Sequence, residues 1–489
     1  MDTKALKDKI LQLAMQGKLV PQDENDEHAS VLLERIKKEK EQLIKNKKIK
    51  KEKALPEITE DEIPYELPKG WEWVRLGAIS FKITDGSHNP PKGEENRTKY
   101  LMLSSQNISS KGLINLGKSR FLSKENYDIE NKRTNLSKGD LLLTIVGSIG
   151  KSYIYNDNYN IVLQRSVGVI NTKYCNEYIK YFFDSPITQN YFKANSSGTA
   201  QKGIYLNQLK STIIALPPLN EQKRIVKKID SLFKLIDELK NNKQDLLQNI
   251  SDAKNNALQL AVQGKLVPQD ENDEPASILL ERIKKEKEQL IKDKKIKKEK
   301  PLPEITEDEI PYELPNGWEW VRFSNVLDIR DGTHDTPTYV KTGIPLITSK
   351  NINGKVIDFS NIKYISKEDH EKISLRSQVD NGDILFAMIG SIGNPVIVKK
   401  DIDFSIKNVA LFKYYKTDSI LNKYLYYYLL LHQSYMKEIA SGGVQSFVSL
   451  SFLRKYLFPL PPLNEQKRIV KKLDSIMKLC DELESELNN

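Results

Sequence analysis

The feature that most constrains this chain is an internal duplication. The stretch from Gln12 to Arg75 recurs as Gln259 to Arg322, an offset of 259 − 12 = 247, with differences at six positions. The motif LPPLNEQKRIVKK likewise begins at Leu216 and again at Leu460. A repeat of this length predicts two structural units of the same design. We therefore expect a pseudo-twofold tandem repeat.

A heptad pattern follows the first copy of that motif. Between Asn220 and Gly264 apolar residues recur at alternating steps of four and three, with one break at Lys243. This is the spacing of a coiled-coil seam. At 1.5 Å per residue the pattern predicts a rod on the order of 50 Å long. A long helix packed within one domain is the alternative. The residues predicted to form the seam and to dock partner subunits are Ile225, Ile229, Leu232, Ile236, Leu239, Leu246, Ile250, Ile469, Leu473, Ile476, Leu483 and Leu487.

The second copy of the rod is shorter and ends at Asn489. A helix predicted over Asp2–Gln16 aligns, at the 247 offset, with the second half of the central helix. We expect it to dock beside the C-terminal helix and complete the distal half of the second rod, with a frayed independent helix as the alternative. The predicted fold is mixed α+β, with two similar α/β domains separated by a pair of long antiparallel coiled-coil helices.

Two stretches between the repeated frames have diverged, Leu76–Ala215 and Phe323–Pro459. They still share the elements DGSH and DGTH, and GDLLLTIVGSIG and GDILFAMIGSIG. This shared skeleton predicts one fold used twice. The predicted boundaries are 1–65 for N-terminal conserved helices, 66–215 for the first domain, 216–312 for a central conserved region, 313–459 for the second domain and 460–489 for a C-terminal conserved helix.

The net charge is +10, and besides a surplus of 6 Lys/Arg over Asp/Glu between Val31 and Lys53, both diverged stretches are basic. The first holds 18 Lys/Arg against 10 Asp/Glu, and the second holds 17 against 13. Both surpluses suit a polyanionic partner such as double-stranded DNA. Two distant cysteines and the absence of an apolar span or a signal peptide predict a cytoplasmic protein without a membrane partner. The Cys480 side chain falls on the heptad seam, where it is expected to pack in the core.

Two sequences imitate catalytic motifs. IVGSIGKS at Ile145–Ser152 lacks the first glycine of a phosphate-binding loop, so a strand–turn–strand is predicted. In the N-P-P motif at Asn89, Lys92 replaces the aromatic residue that would stack on a flipped base. We therefore predict no catalytic residue and no metal site.

The paired motifs QGKLVPQDENDEPAS-x-LLERIKKEKE and LPPLNEQKRIV resemble those of the specificity subunit of Type I restriction–modification enzymes, over nearly the whole chain. The resemblance implies two target recognition domains, each reading half of a split DNA sequence. It also implies two modification subunits docked on the helices, with restriction subunits attached through them. S-adenosylmethionine, ATP and Mg²⁺ would bind to those partners, and this chain would need no cofactor of its own.

Residues that read bases should differ between the two domains on a common skeleton. Gln164-Arg165 aligns at an offset of 243 with Lys407-Asn408, and all four side chains suit base edges. The full set of candidate DNA-binding residues is Asp85, Ser87, His88, Arg133, Lys151, Gln164, Arg165, Lys202, Thr333, His334, Lys407, Asn408 and Gln445. For each of them an ordinary surface or structural role is the alternative.

Two other classes of protein remain open from the residues alone. A coiled-coil scaffold or adaptor with two heads for non-DNA ligands predicts no salt-sensitive DNA affinity. An enzyme acting alone would need a cofactor loop, and none is found in the sequence.

Overall fold

The computed structural model describes residues 2–174, 176–196, 202–415, 420–440 and 447–488. The chain forms two compact units, Met1–Asn242 and Lys243–Asn489. The division between them falls inside one long helix. Within the described ranges, every helix is too polar or too short to span a bilayer.

The first unit begins with helices from the repeated frame and continues into the first diverged stretch. Its elements are α1 Thr3–Met15, α2 Ala29–Lys45, β1 Glu72–Arg75, α3 Leu76–Ile79, β2 Lys82–Asp85, β3 Tyr100–Leu103, β4 Ile108–Ser109, β5 Gly112–Leu113, β6 Arg120–Phe121, α4 Lys124–Thr134, β7 Leu141–Thr144, β8 Ser152–Ile154, β9 Asn160–Leu163, β10 Val167–Asn171, α5 Asn176–Asp184, α6 Pro186–Asn195, α7 Leu206–Ser211 and β11 Ile213–Leu216. Helix α8, Leu219–Val262, then crosses into the second unit.

Two sheets carry the diverged part of the first unit. One has the order β2-β10-β7-β8 with antiparallel neighbours, and the other has the order β6-β3-β9, in which β3 and β9 run parallel. Strand β7 is buried at every position, as its sequence LLLT requires for a central strand covered on both faces. Strands β1 and β11 pair where the repeated frame enters and leaves the domain.

The second unit repeats this plan. Its further elements are α9 Ala276–Lys292, β12 Glu319–Arg322, α10 Phe323–Val326, β13 Leu327–Asp331, β14 Tyr339–Val340, β15 Ile344–Ile347, β16 Lys363–Ile365, α11 Lys367–Ser377, β17 Ile384–Ala387, β18 Gly393–Ile397, β19 Ser405–Ile406, β20 Val409–Tyr414, α12 Asn422–Ala440, α13 Leu450–Lys455, β21 Leu457–Leu460 and α14 Leu463–Asn488.

The strand orders of the two units correspond. The sheet β13-β20-β17-β18 matches β2-β10-β7-β8, and the pair β12–β21 matches β1–β11. The parallel pair β15–β19 takes the place of β3–β9. The tandem repeat and the mixed α+β fold predicted from the sequence are therefore confirmed.

Each unit contains an antiparallel pair of helices built from the repeated frame. In the first unit Lys7 of α1 forms an ion pair of 2.6 Å with Asp237 of α8, while Gln22, further along, reaches Glu221 at the start of α8. In the second unit Lys254 pairs with Asp481 of α14 at 2.7 Å, and Gln269 reaches Glu465. The predicted docking of the N-terminal helix beside the C-terminal helix concerns residues of different units and stays a prediction.

Burial follows the heptad seam only in part. Ile225, Ile229 and Ile236 are buried in the first unit, and Ile469 and Leu473 are buried in the second. Cys480 is also buried, as predicted from its place on the seam.

The rest of the predicted seam is more open. Leu232, Ile250, Ile476 and Leu487 are half-buried. Leu239, Leu246 and Leu483 are exposed, contrary to the prediction that they are covered within the rod. A heptad pattern predicts an apolar stripe, but the stripe is buried only where a partner helix lies against it.

Candidate nucleic-acid interface

A cluster of polar residues gathers at one edge of the first unit, where β2 and β9 end. We call it the first recognition edge and define it as Asp85–His88, Arg133 and Gln164–Arg165. A parallel bridge joins Ser87 to Gln164, and the Arg165 amide donates to the Ser87 carbonyl at 2.9 Å. The predicted residues Asp85, Ser87, His88, Arg133, Gln164 and Arg165 are thus brought together.

Asp85 holds this edge in shape. Asp85 is only 6% exposed, and its carboxylate accepts from Nε2 of His88 at 2.7 Å and from Nη2 of Arg133 at 2.5 Å. Because a carboxylate only accepts, Nε2 of His88 carries the proton of this hydrogen bond. Arg133 also donates through Nε to the Asp85 carbonyl at 2.9 Å. The carboxylate therefore fixes two partly exposed cationic or dipolar groups in one orientation.

Two of the predicted DNA contacts are buried in the structure. Asp85 and Ser87 are each 6% exposed, and the carboxylate of Asp85 is already engaged by His88 and Arg133. The physical reason is that a buried carboxylate must be paired to be tolerated. These two residues position their neighbours, whereas His88 and Arg133 keep surface for a ligand.

Gly86 is required by the close approach of two backbones. A Cβ at this position would lie 2.0 Å from the Leu163 carbonyl oxygen. The Ser87 amide donates to that same oxygen at 2.7 Å. Only glycine allows the bridge that sets Gln164 beside Ser87.

The second unit builds the same cluster. The second recognition edge consists of Asp331–His334, Arg376 and Lys407–Asn408. Asp331, 4% exposed, accepts from Nε2 of His334 at 2.7 Å and from Nη2 of Arg376. A parallel bridge joins Thr333 to Lys407, which confirms the alignment of Lys407 with Gln164.

The two recognition edges differ in the side chains beyond this shared cluster. Nζ of Lys407 donates to Oγ1 of Thr336 at 2.7 Å. Oδ1 of Asn408 lies 3.2 Å from Nδ1 of His334. In the first unit the corresponding side chains are Gln164 and Arg165, and Arg165 is exposed. Equivalent backbone positions thus present different donors and acceptors.

Two other predicted residues lie on loops tied to the first recognition edge. Lys202 accepts through its carbonyl from the Gly147 amide at 3.3 Å, and the Ile145 amide donates to Ser166, next to Arg165. Lys151 is exposed and lies directly before β8, at the end of the same loop. The loop joins β7 to β8, so the predicted strand–turn–strand over Ile145–Ser152 is confirmed. Gln445 lies outside the described residues.

Arg376 was not among the DNA-binding residues predicted from the sequence. It occupies the place of Arg133, and both arginines sit near the C-terminal end of a helix, α4 or α11, that starts after a capping serine. The 243 offset that aligns Gln164 with Lys407 also aligns Arg133 with Arg376, since 376 − 133 = 243. The repeat therefore contained the signal for this residue.

Among the described residues no group of three or more His, Cys, Asp or Glu side chains is placed to hold a metal ion. The recognition edges instead combine cations, amides and a backbone brought close by glycine. Such a set can hold phosphates and donate to or accept from base edges.

Comparison with known proteins decides among the possible ligands. The family model described as Type I restriction modification DNA specificity domain matches residues 68–249 and 315–489. The chain belongs to this family. It is a specificity subunit, the non-catalytic DNA-recognition chain of a Type I restriction–modification complex.

Similar curated proteins extend over almost the full length of this specificity subunit. It is 33% identical to the EcoAI specificity subunit of Escherichia coli, covering 98% of this chain and 90% of that protein. It is 31% identical to the EcoEI specificity subunit of Escherichia coli, covering 99% and 91%.

Solved structures share the fold. The HsdS subunit from Thermoanaerobacter tengcongensis is 20% identical with a TM-score of 0.52, covering 87% of this chain and 95% of that one. A chain from a study of complex assembly and conformational transition of the type I R-M system is 21% identical with a TM-score of 0.55, covering 87% and 94%.

Proposed function

We propose that this specificity subunit reads a bipartite, asymmetric DNA target, with one recognition edge for each half. The observation that carries the proposal is one cluster built twice on the same backbone, with different side chains beside it. Elements common to both units would contact what every DNA sequence shares, and elements that differ would contact what varies.

The shared elements suit the phosphate backbone. His88 with Arg133, and His334 with Arg376, are each held by a buried aspartate. Phosphate contacts supply much of the affinity and carry no sequence information. Fixing a guanidinium in advance also lowers the entropy lost when it binds a phosphate.

The elements that differ suit base edges. Arg165 and Lys407 are donors of the kind that pair with guanine O6 and N7, whereas Gln164 and Asn408 can pair with adenine N6 and N7. Because the order of the two types is reversed between the units, the two half-sites should differ.

The helices would position the rest of the complex. One modification subunit would dock on the helix pair of each unit, and restriction subunits would join through the modification subunits. These partners would methylate adenine with S-adenosylmethionine and use ATP and Mg²⁺ for translocation and cleavage. This chain would bind none of those cofactors.

The test is to co-express the chain with its modification subunit and sequence the methylated adenines. Replacing Gln164 and Arg165 with alanine should relax the first half-site alone, by about 1–3 kcal/mol at one or two base pairs. The same change at Lys407 and Asn408 should relax only the second half-site.

The control is Arg133→Ala. This variant should weaken binding to all sequences about equally and lower the slope of log affinity against log salt by about one. Relaxation of both half-sites by either double variant would overturn the division of labour between the units.

A further inference from the structure

An apolar pair stands beside the second recognition edge. Ile389 follows β17, and an antiparallel bridge pairs it with Phe447. The Val448 amide donates to the Met388 carbonyl at 2.9 Å, which fixes the register of the bridge. Directly opposed residues of such a bridge place their side chains on the same face. Ile389 is nevertheless 40% exposed and Phe447 is 53% exposed.

Hydrogen bonds connect this pair to the base-reading positions. In the loop that contains Ile389, Oγ of Ser391 donates to the Ser349 carbonyl at 3.1 Å. Ser349 lies just after β15, whose Ile347 carbonyl accepts from the Lys407 amide at 2.9 Å. The apolar pair and Lys407 therefore flank the same turn.

The first unit has the same backbone but lacks the large aromatic side chain. Its corresponding bridge pairs Val146 with Gly203, so the place of Phe447 is taken by a residue with no side chain. The link to the neighbouring turn is also kept, because Oγ of Ser148 donates to the Ser105 carbonyl at 3.4 Å. The difference is thus one of side-chain chemistry on a common frame, as it is for Gln164 and Lys407.

We propose that Phe447, with Ile389 beside it, reads a thymine methyl group in the half-site bound by the second unit. The inference rests on the proposed function, since it requires this edge to face DNA. Base edges in the major groove offer one apolar group, the thymine C5 methyl, which apolar side chains contact. An exposed phenylalanine on an edge that faces DNA gains favourable burial by contacting such a methyl group. At the matching bridge of the first unit, Gly203 offers no side chain for such a contact.

The experiment uses the full chain with its modification subunit and the target identified by methylated-adenine sequencing. Duplexes carry deoxyuridine in place of each thymidine of the second half-site in turn, which keeps base pairing and removes only the methyl. One such duplex should bind about fourfold more weakly, the effect of one methyl group. Phe447→Ala should show a similar loss on the thymidine duplex and no further loss with deoxyuridine.

The matched control is Ile402→Ala. Ile402 is 52% exposed in the same unit, on the loop that precedes β19, so its loss should leave both duplexes unchanged. In the first half-site, the effect of deoxyuridine on binding should be the same for Phe447→Ala as for the wild type.

Equal affinity for every deoxyuridine duplex would overturn the proposal, and so would a deoxyuridine penalty that persists in Phe447→Ala. A loss in Phe447→Ala without any methyl dependence would indicate an apolar wedge between base pairs and would also overturn it. Failure here is distinguishable from failure of the proposed function, because the second half-site would still depend on Lys407 and Asn408.

Discussion

Under the proposed function, Asp85 and Asp331 would act on DNA only through the side chains that they hold in place. Each aspartate is buried, and each binds one histidine and one arginine of its recognition edge. Desolvating a carboxylate is unfavourable unless charged donors replace water. The arginine and histidine therefore stabilise the fold and are held in place by the same contacts.

Asp85→Asn should weaken both the fold and the binding of DNA. The amide keeps the size of the side chain but cannot accept from both donors as an anion, so Arg133 and His88 lose their fixed orientation. We expect the free energy of unfolding to fall by about 1–3 kcal/mol. DNA affinity should fall about tenfold, with base preferences at the first half-site unchanged. Thermal unfolding and anisotropy titrations would measure the two effects.

Asp331→Asn is the matched variant in the second unit. It should give the same loss of affinity through the other edge. A change in base preference at the first half-site in Asp85→Asn would contradict a purely positioning role for that aspartate.

Gly86→Ala should disrupt the first recognition edge through the backbone. The new Cβ meets the Leu163 carbonyl at 2.0 Å, so the Ser87–Gln164 bridge must open. We expect about 3 kcal/mol of destabilisation, within the range for overpacked sites. Denaturant unfolding would measure it.

Gly117→Ala is the control for Gly86→Ala. Its Cβ would meet only Nη2 of Arg97, at 3.8 Å, which is an ordinary contact. Similar destabilisation in both variants would show that the close approach at Gly86 is not the cause.

For individual residues, the sequence predicted the motifs but not the contacts between them. The repeat located the DGSH and DGTH turns and the aligned pair at Gln164 and Lys407. The contact between Arg133 and Asp85 joins residues 48 positions apart, and only the packing of α4 near β2 creates it. The burial of Ser87 follows in the same way from a strand that is distant in sequence.

Among the secondary-structure elements, α8 is the one predicted most closely. Its heptad stretch, Asn220–Gly264, is observed as Leu219–Val262, because a period of 3.5 over such a length has no other regular solution. The position of α1 against the first half of α8 depends on tertiary contacts such as Lys7–Asp237. No local pattern of the N-terminal segment specifies that partner.

The first turn of α8 contains a buried acid. Glu221 accepts from Nε1 of Trp71 at 2.9 Å and from Nε2 of Gln22 at 3.1 Å. Burial raises the pKa of Glu221 above its ordinary value of 4.5 despite these two hydrogen bonds. Glu465 stands in the same relation to Trp318 and Gln269 at the start of α14, and burial raises its pKa as well.

Glu221→Gln should therefore alter how stability depends on pH. Because the pKa of Glu221 is raised in the folded state, protonated Glu221 contributes its full stabilisation below the pKa of the unfolded state. That stabilisation is lost as pH rises through the pKa of the folded state. Glutamine does not ionise, so the melting temperature of the variant, relative to that of the wild type, should increase as pH rises from 4.5. Calorimetry across this range would measure the difference.

Glu238→Gln changes an exposed carboxylate of the same helix and serves as the control. Its melting temperature should run parallel to that of the wild type. A parallel curve for Glu221→Gln would mean that burial does not disfavour the charged form of this acid.

For the molecule as a whole, the exposed part of the heptad stripe matters most. Leu239 is 47% exposed and Leu246 is 49% exposed, although both continue the seam of buried residues on α8. Large apolar side chains left exposed on a helix are typical of a surface that a partner covers. This fits the proposal that modification subunits dock on the helices.

Replacing Leu239 and Leu246 with lysine should leave the isolated chain as stable as the wild type, because neither side chain is buried in it. Binding of the modification subunit should weaken at least about tenfold. Sedimentation of the mixed subunits would measure this, and Asn241→Lys, a polar position between them, is the control. Wild-type affinity in the double variant would place the docking surface elsewhere.

The close similarity of the two frames has a consequence for how the chain acquires its structure. Each frame docks on its helix through identical side chains, namely Gln22, Asp26 and Trp71 onto Glu221 and Arg224, and Gln269, Asp273 and Trp318 onto Glu465 and Arg468. Chemistry therefore does not distinguish a correct docking from a crossed one, in which a frame engages the helix of the other repeat or of another molecule. The native docking is favoured only because each frame is connected to its own helix, which raises the effective concentration of that helix. Refolding at high protein concentration would then favour swapped, entangled oligomers, whereas synthesis from the ribosome completes the first repeat before a competing helix exists.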